Sequence, residues 1–157
     1  MRLLAAALLL STLPQDEKVI KFEAPKEWTK ETPSSRMRKA QYKIPDKEKK
    51  AKDAEFALFY FGANAGTIDA NLKRWAGQMG QASATPEKIE GACKITLVDL
   101  KGTYQERPDV DPIENARMLA AVVETADGPW FFKIVGPADT VGDWREETVK
   151  MLKEAKP

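Results

Sequence analysis

Asn71, Arg74 and Gln78 follow one another at spacings of three and four residues, so on a helix they form a single polar row. An arginine in such a row can clamp a carboxylate or phosphate with two parallel hydrogen bonds, and flanking amides can complete the recognition. Arg38, on an early expected strand, is a fourth candidate for the same surface. The chemistry this set offers is binding of a small anionic ligand or a protein partner. The competing role is structural, with Arg74 tying the helix to a loop carbonyl and Asn71 anchoring the preceding turn. Spacing leaves both roles open.

The remaining constellations are weaker. The chain has no histidine, which removes Ser-His and Cys-His nucleophile activation, histidine-ligated zinc or haem, and imidazole proton shuttling. Cys93 is the only cysteine and lies in an apolar run, where it reads as a small core residue. Asp109, Asp111 and Glu114 could offer hard oxygens to a cation, but the segment lacks the glycine and closing glutamate of an EF-hand loop. Ser35 and Lys39 fail as a dyad, because four residues of extended chain put their α-carbons roughly 13 Å apart. Gly62 and Gly66 precede a helix without the dinucleotide or Walker spacing, so they read as turn-makers. No catalytic residue, metal site or cofactor is therefore expected.

These candidates need elements to hold them. Ala54 to Phe61 is apolar at every position but Glu55, with Phe56, Leu58 and Tyr60 on one face and Ala57, Phe59 and Phe61 on the other. Such a strand must be covered on both sides. Gly62, Asn64 and Gly66 then allow a sharp turn, and Thr67 is a natural N-cap. Ile68, Leu72, Trp75, Ala76 and Met79 make an apolar stripe that predicts a helix to about Met79, ended by Gly80.

Elsewhere, strands are expected at Lys18 to Phe22, Arg36 to Ile44 and Ala92 to Tyr104, and a hairpin pairs Met118 to Glu124 with Trp130 to Val135. Trp28 is expected to plug the domain edge, and Pro45 to Asp53 to be a solvated charged connector. Thr140 and Asp143 resemble a capping box opening one final helix. The sum is α+β: a central, mainly antiparallel sheet with helices packed on both faces.

At 157 residues the chain fits one domain. Its 25 basic and 24 acidic residues give a net charge of +1, so no general attraction to nucleic acid is expected. Met1 to Leu13 has one basic residue before the apolar run Leu3 to Leu10, the layout of an export signal and too short to cross a bilayer. Residues 1–17 are therefore expected to be a signal or an unstructured N-terminus, and 18–157 a single domain that is periplasmic or extracellular. A cytoplasmic protein with an apolar N-terminus is the alternative.

Two groups of motifs carry a resemblance. The first is Trp28…Pro33-Ser34-Ser35-x-Met37-Arg38-x-Ala40-x-Tyr42-x-x-Pro45, and the second is Phe59-x-Phe61-Gly62…Gly66…Asn71-x-x-Arg74-Trp75-x-x-Gln78. Together with Trp130-Phe131-Phe132-Lys133…Gly136-Pro137, they resemble an uncharacterised family of exported bacterial proteins. The fold this implies is similar to that of PsbP, the extrinsic photosystem subunit, and of a small Ran-binding nuclear-import factor. Such relatives act chiefly by binding other proteins, which implies a non-enzymatic binding or accessory role. The alternative is an enzyme using carboxylate, lysine or arginine chemistry.

Overall fold

The computed structural model describes residues 19–157, so the expected export segment and Lys18 lie outside the described residues. Seven strands form one antiparallel sheet: β1 (Thr29–Glu31), β2 (Arg38–Ile44), β3 (Ala54–Tyr60), β4 (Glu87–Glu90), β5 (Lys94–Tyr104), β6 (Ile113–Thr125) and β7 (Gly128–Pro137). Their spatial order is β1-β2-β3-β7-β6-β5-β4, which puts the hydrophobic β3, β7 and β6 at the centre. Helix α1 (Ile68–Gln78) lies on one face, and α2 (Ala138–Asp143) and α3 (Arg145–Glu154) on the other. The α+β class and the two helical layers are those expected from the doubly apolar β3.

Alternation along the strands divides the core in two. On the α2–α3 face, Phe56 and Leu58 of β3, Phe132 and Ile134 of β7, and Leu119 and Val123 of β6 pack under Val141, Met151 and Leu152. Trp28, next to the edge strand β1, is buried among Phe56, Tyr42 and Trp144, with ring centroids 5.8 to 6.4 Å apart. Burying a side chain of this size stabilises the fold by about 3 kcal/mol, enough to draw the loop before β1 inward. On the α1 face, Leu72, Trp75 and Met79 cover Val98, Met118, Ala120, Val122 and Phe131. A side chain at Gly102 would run into the Met79 carbonyl oxygen, so a residue without Cβ lets the end of α1 settle on β5.

Several local expectations change. From Val19 to Phe22 there is only one bridge, Lys21 to Lys156, although Ile20 is buried. Short edge strands β1 and β4 add to the expected strands; β4 has a single buried residue, Ile89, too few for a readable alternation. Thr140 is not a cap: its hydroxyl donates to the Lys52 carbonyl from within α2. The final helix is two, because Trp144 leaves helical geometry (φ −104°, ψ 6°) while its indole N–H donates to the Pro45 carbonyl. The connector 45–53 is exposed from Lys47 onward, as expected, and is anchored at its start by Asp46, which is buried and accepts from the amides of Lys50 and Ala51.

Candidate functional site

An eleven-residue helix is about 16 Å long, too short to roof a seven-stranded sheet. Helix α1 covers β5 and β6, and the same face of β2 and β3 remains open. Period-two alternation shows Glu55, Ala57 and Phe59 from β3, Lys133 and Val135 from β7, and Lys43 from β2 there, and a register irregularity between Arg38 and Ala40 brings Arg38 opposite Phe59 onto the same face. With Tyr104 and the β5–β6 loop these line a groove of about 730 Å³. A second pocket of about 170 Å³ adjoins it below α1, sharing Phe59, Glu106 and Lys133 as walls and adding Met37, Phe61, Arg74, Trp75, Gln78 and Phe131. Met37 and Ile113, two of the few large exposed apolar residues, rim these cavities.

Lys133 stands between the two. Its Nζ donates to Gln78 Oε1 at 2.8 Å and to the Tyr104 hydroxyl at 3.1 Å, and lies 5.0 Å from the centre of the Tyr104 ring. Burial, reinforced by the Arg74 and Arg38 guanidiniums and opposed by Glu106 and Glu55, lowers its amine from the usual lysine range to about 8. Burial and the Glu106 carboxylate push Tyr104 up to about 12, so this phenol stays neutral. An ammonium has three N–H donors, of which Gln78 and Tyr104 take two.

Arg38 is already engaged. One Nη1 donates to Glu55 at 2.5 Å and to Gln41 Oε1 at 2.9 Å, and the guanidinium sits over the Phe59 ring. Buried Gln41 organises this wall, accepting from the Ser34 amide and donating to Glu31 and Glu55. The large groove therefore carries cations and carboxylates in nearly equal number: Arg38, Lys43, Lys52 and Lys133 against Glu31, Asp53, Glu55, Glu106 and Glu114. In the small pocket, Arg74 and Lys133 face only Glu106.

The three residues of the polar row serve different ends. Asn71 is buried, and its amide donates to the carbonyls of Ala65 at 2.9 Å and Thr67 at 2.8 Å, holding the turn through Gly66 (φ +72°) against α1. Its Oδ1 accepts from Arg74 Nη2 at 2.9 Å, which orients an otherwise exposed guanidinium at the pocket mouth. Gln78 is half-buried and points its Oε1 at Lys133. Arg38 reaches the cluster through Phe59, not through the helix. Sequence reasoning missed Lys133, Tyr104, Glu55 and Phe59 as site residues. The one available signal was a lysine inside the apolar strand Trp130–Val135, a position where an amine must find partners.

Among the described residues no group of three or more Cys, Asp and Glu could hold a metal ion, and Asp109 pairs instead with Arg107 at 3.1 Å. No helix among them is long and apolar enough to cross a membrane. No family model and no curated protein matches the chain. The fold is similar to the crystal structure of PA94, a Pseudomonas aeruginosa protein of unknown function for which a regulatory role has been suggested. The TM-score is 0.53 at 9% identity, over 83% of this chain and 97% of PA94. At that identity the likeness concerns the fold alone.

Proposed function

We propose that this is an exported, non-enzymatic binding or accessory protein whose recognition surface is the uncovered half of the α1 face. One observation carries the reading: a groove of about 730 Å³ with an apolar floor at Ala57, Phe59 and Val135 and a charged rim of both signs. Pockets of this size and mixed lining are where small molecules and extended segments bind. The resemblance to exported bacterial proteins, with its remote likeness to PsbP, supports binding over turnover, and the apolar run Leu3 to Leu10 supports export. Amide NMR of the whole domain against a set of charged and neutral fragments tests the surface. Saturable shifts gathered at Ala57, Phe59 and Val135 are expected; fragments that bind only elsewhere remove the reading. The N-terminal sequence of protein recovered from the periplasm or medium tests export, which fails if the intact chain stays in the cytosol.

A second reading has one observation in its favour. Lys133, with its amine lowered to about 8 beside the Tyr104 hydroxyl, is available as a nucleophile at mildly alkaline pH. It would make the protein an enzyme of lysine and carboxylate chemistry. Reductive trapping with a small aldehyde that labels Lys133 no faster than exposed lysines such as Lys101 would count against it.

A further inference from the structure

Resting on the reading of this face as a binding surface, we infer that the small pocket beneath α1 takes a small organic acid, a monocarboxylate with an aryl or branched-alkyl group. The apolar group lies against the cluster of Phe59, Phe61, Trp75 and Phe131, and the carboxylate bridges the Arg74 guanidinium and the Lys133 ammonium.

Size, walls and charge each point the same way. A cavity of about 150 Å³ lined by apolar side chains is known to accept benzene, and this pocket holds about 170 Å³. Four of its walls are already linked by ring contacts: Phe59 stacks on Phe61 at 5.9 Å, Phe61 meets Phe131 at 5.8 Å, and Trp75 meets Phe131 edge-on at 6.1 Å. The ligand's ring would thus extend an aromatic cluster instead of opening one. At the mouth, the bond from Arg74 Nη2 to Asn71 Oδ1 occupies one of five guanidinium donors and fixes the orientation of the rest. Lys133 has one N–H beyond those given to Gln78 and Tyr104. Two oriented cations with spare donors match one carboxylate, and Arg38 does not compete for it because Glu55 already neutralises it.

The opposing charge is Glu106, exposed on the loop after β5. It keeps the mouth from accepting a dianion, which narrows the class to monocarboxylates. Lys133 is also acted on by Arg74 from α1, Arg38 from β2, Glu55 from β3 and the half-buried Tyr104 of β5 beside it. Binding should be strongest where the acid is ionised and this amine protonated, roughly between pH 5 and 8, and should weaken above that.

The test uses the full domain, with phenylacetate, its neutral isostere phenylacetamide and a blocked tripeptide ending in free phenylalanine, read by amide NMR and Trp fluorescence. Phenylacetate is expected to give saturable shifts at Phe61, Trp75 and Phe131, with phenylacetamide and the tripeptide weaker. Arg74→Ala should lose about tenfold in affinity, the scale of one charge-assisted hydrogen bond, with an unchanged melting temperature. Arg74→Gln serves as the second variant should the first unfold. Equal binding of the amide, an unaltered affinity in a folded Arg74 variant, or tighter binding of the tripeptide would overturn the inference. Neutral fragments that bind at Ala57 and Val135 while phenylacetate fails remove the organic acid and keep the groove. Silence of every probe in both cavities removes both.

Discussion

Two charged clusters sit on opposite faces of the sheet and differ in how far they are satisfied. Under α3, Asp99 accepts from Arg117 Nε and Nη2, both at 2.7 Å, and from Arg145 Nε at 3.0 Å, while Arg145 also reaches Glu87 at 2.8 Å. Burial alone would raise the Asp99 carboxyl, but the two guanidiniums outweigh it and hold it below its ordinary value. On the α1 face, Arg38 has Glu55, yet Arg74 has only an amide and Lys133 only a phenol and an amide. The first cluster is closed and holds the start of α3 to β4 and β5. The second sets two cations without a paired carboxylate at a cavity wall, opposed there by Glu106 alone, a cost to stability that a bound carboxylate would offset.

The largest expected effect is in the closed cluster. Asp99→Ala leaves Arg117 without its partner and removes one of Arg145's two, and should cost about 3 kcal/mol in urea unfolding. A loss below ~0.5 kcal/mol would show that the network is a surface ornament and the contrast false. Because the Asp99 carboxyl is lowered in the folded state, its contribution is fully present above the unfolded value and disappears as pH falls through the folded one. The variant should therefore have a flatter acid limb below about pH 4.

Lys133→Met should act in the opposite direction. A lysine whose folded value is about 8, below the ordinary 10.5, binds fewer protons folded than unfolded between those values. Stability from this group thus rises with pH from about 8 to 10.5 and is lowest, and constant, below that window. Methionine removes the charge, so the variant should gain on the order of 2 kcal/mol at pH 7 relative to wild type. That gain should vanish by pH 10.5 in parallel melts. A variant less stable at pH 7 would mean that Gln78 and Tyr104 compensate the ammonium fully and that both clusters are closed.

Asn71→Ala removes the two bonds that hold the turn at Gly66 and should cost about 1 to 2 kcal/mol by calorimetry. Arg74→Ala is the smallest change, within about 0.5 kcal/mol, as befits an exposed side chain. Equal losses in the two variants would make Arg74 a pin like Asn71 and withdraw it from the pocket.

The legible features were those that a single segment encodes. Thr67 caps α1 by accepting from the Ala70 amide, Gly80 ends it at φ +67°, and the β6–β7 hairpin pairs over most of its length. Segments read wrongly were those whose partner is distant. Thr140 is diverted from capping by the Lys52 carbonyl, and Trp144 breaks the final helix while its indole bonds the Pro45 carbonyl. The polar row was a correct reading of spacing, but Asn71 and Arg74 differ in burial, and one helix turn cannot say which side a loop will cover.

By itself, then, the sequence determined the layered α+β architecture, since β3 is apolar on both faces and strand alternation leaves no other way to bury it. It also determined the absence of histidine chemistry. Only the tertiary structure decided that α1 is too short to cover its face and that Lys133 from β7 meets Gln78 from α1 and Tyr104 from β5. Those three residues are 55 and 29 positions apart by their hydrogen bonds. Local propensity acts over one or two turns, whereas a desolvated amine between two cavities exists only once strands distant in the chain are laid side by side.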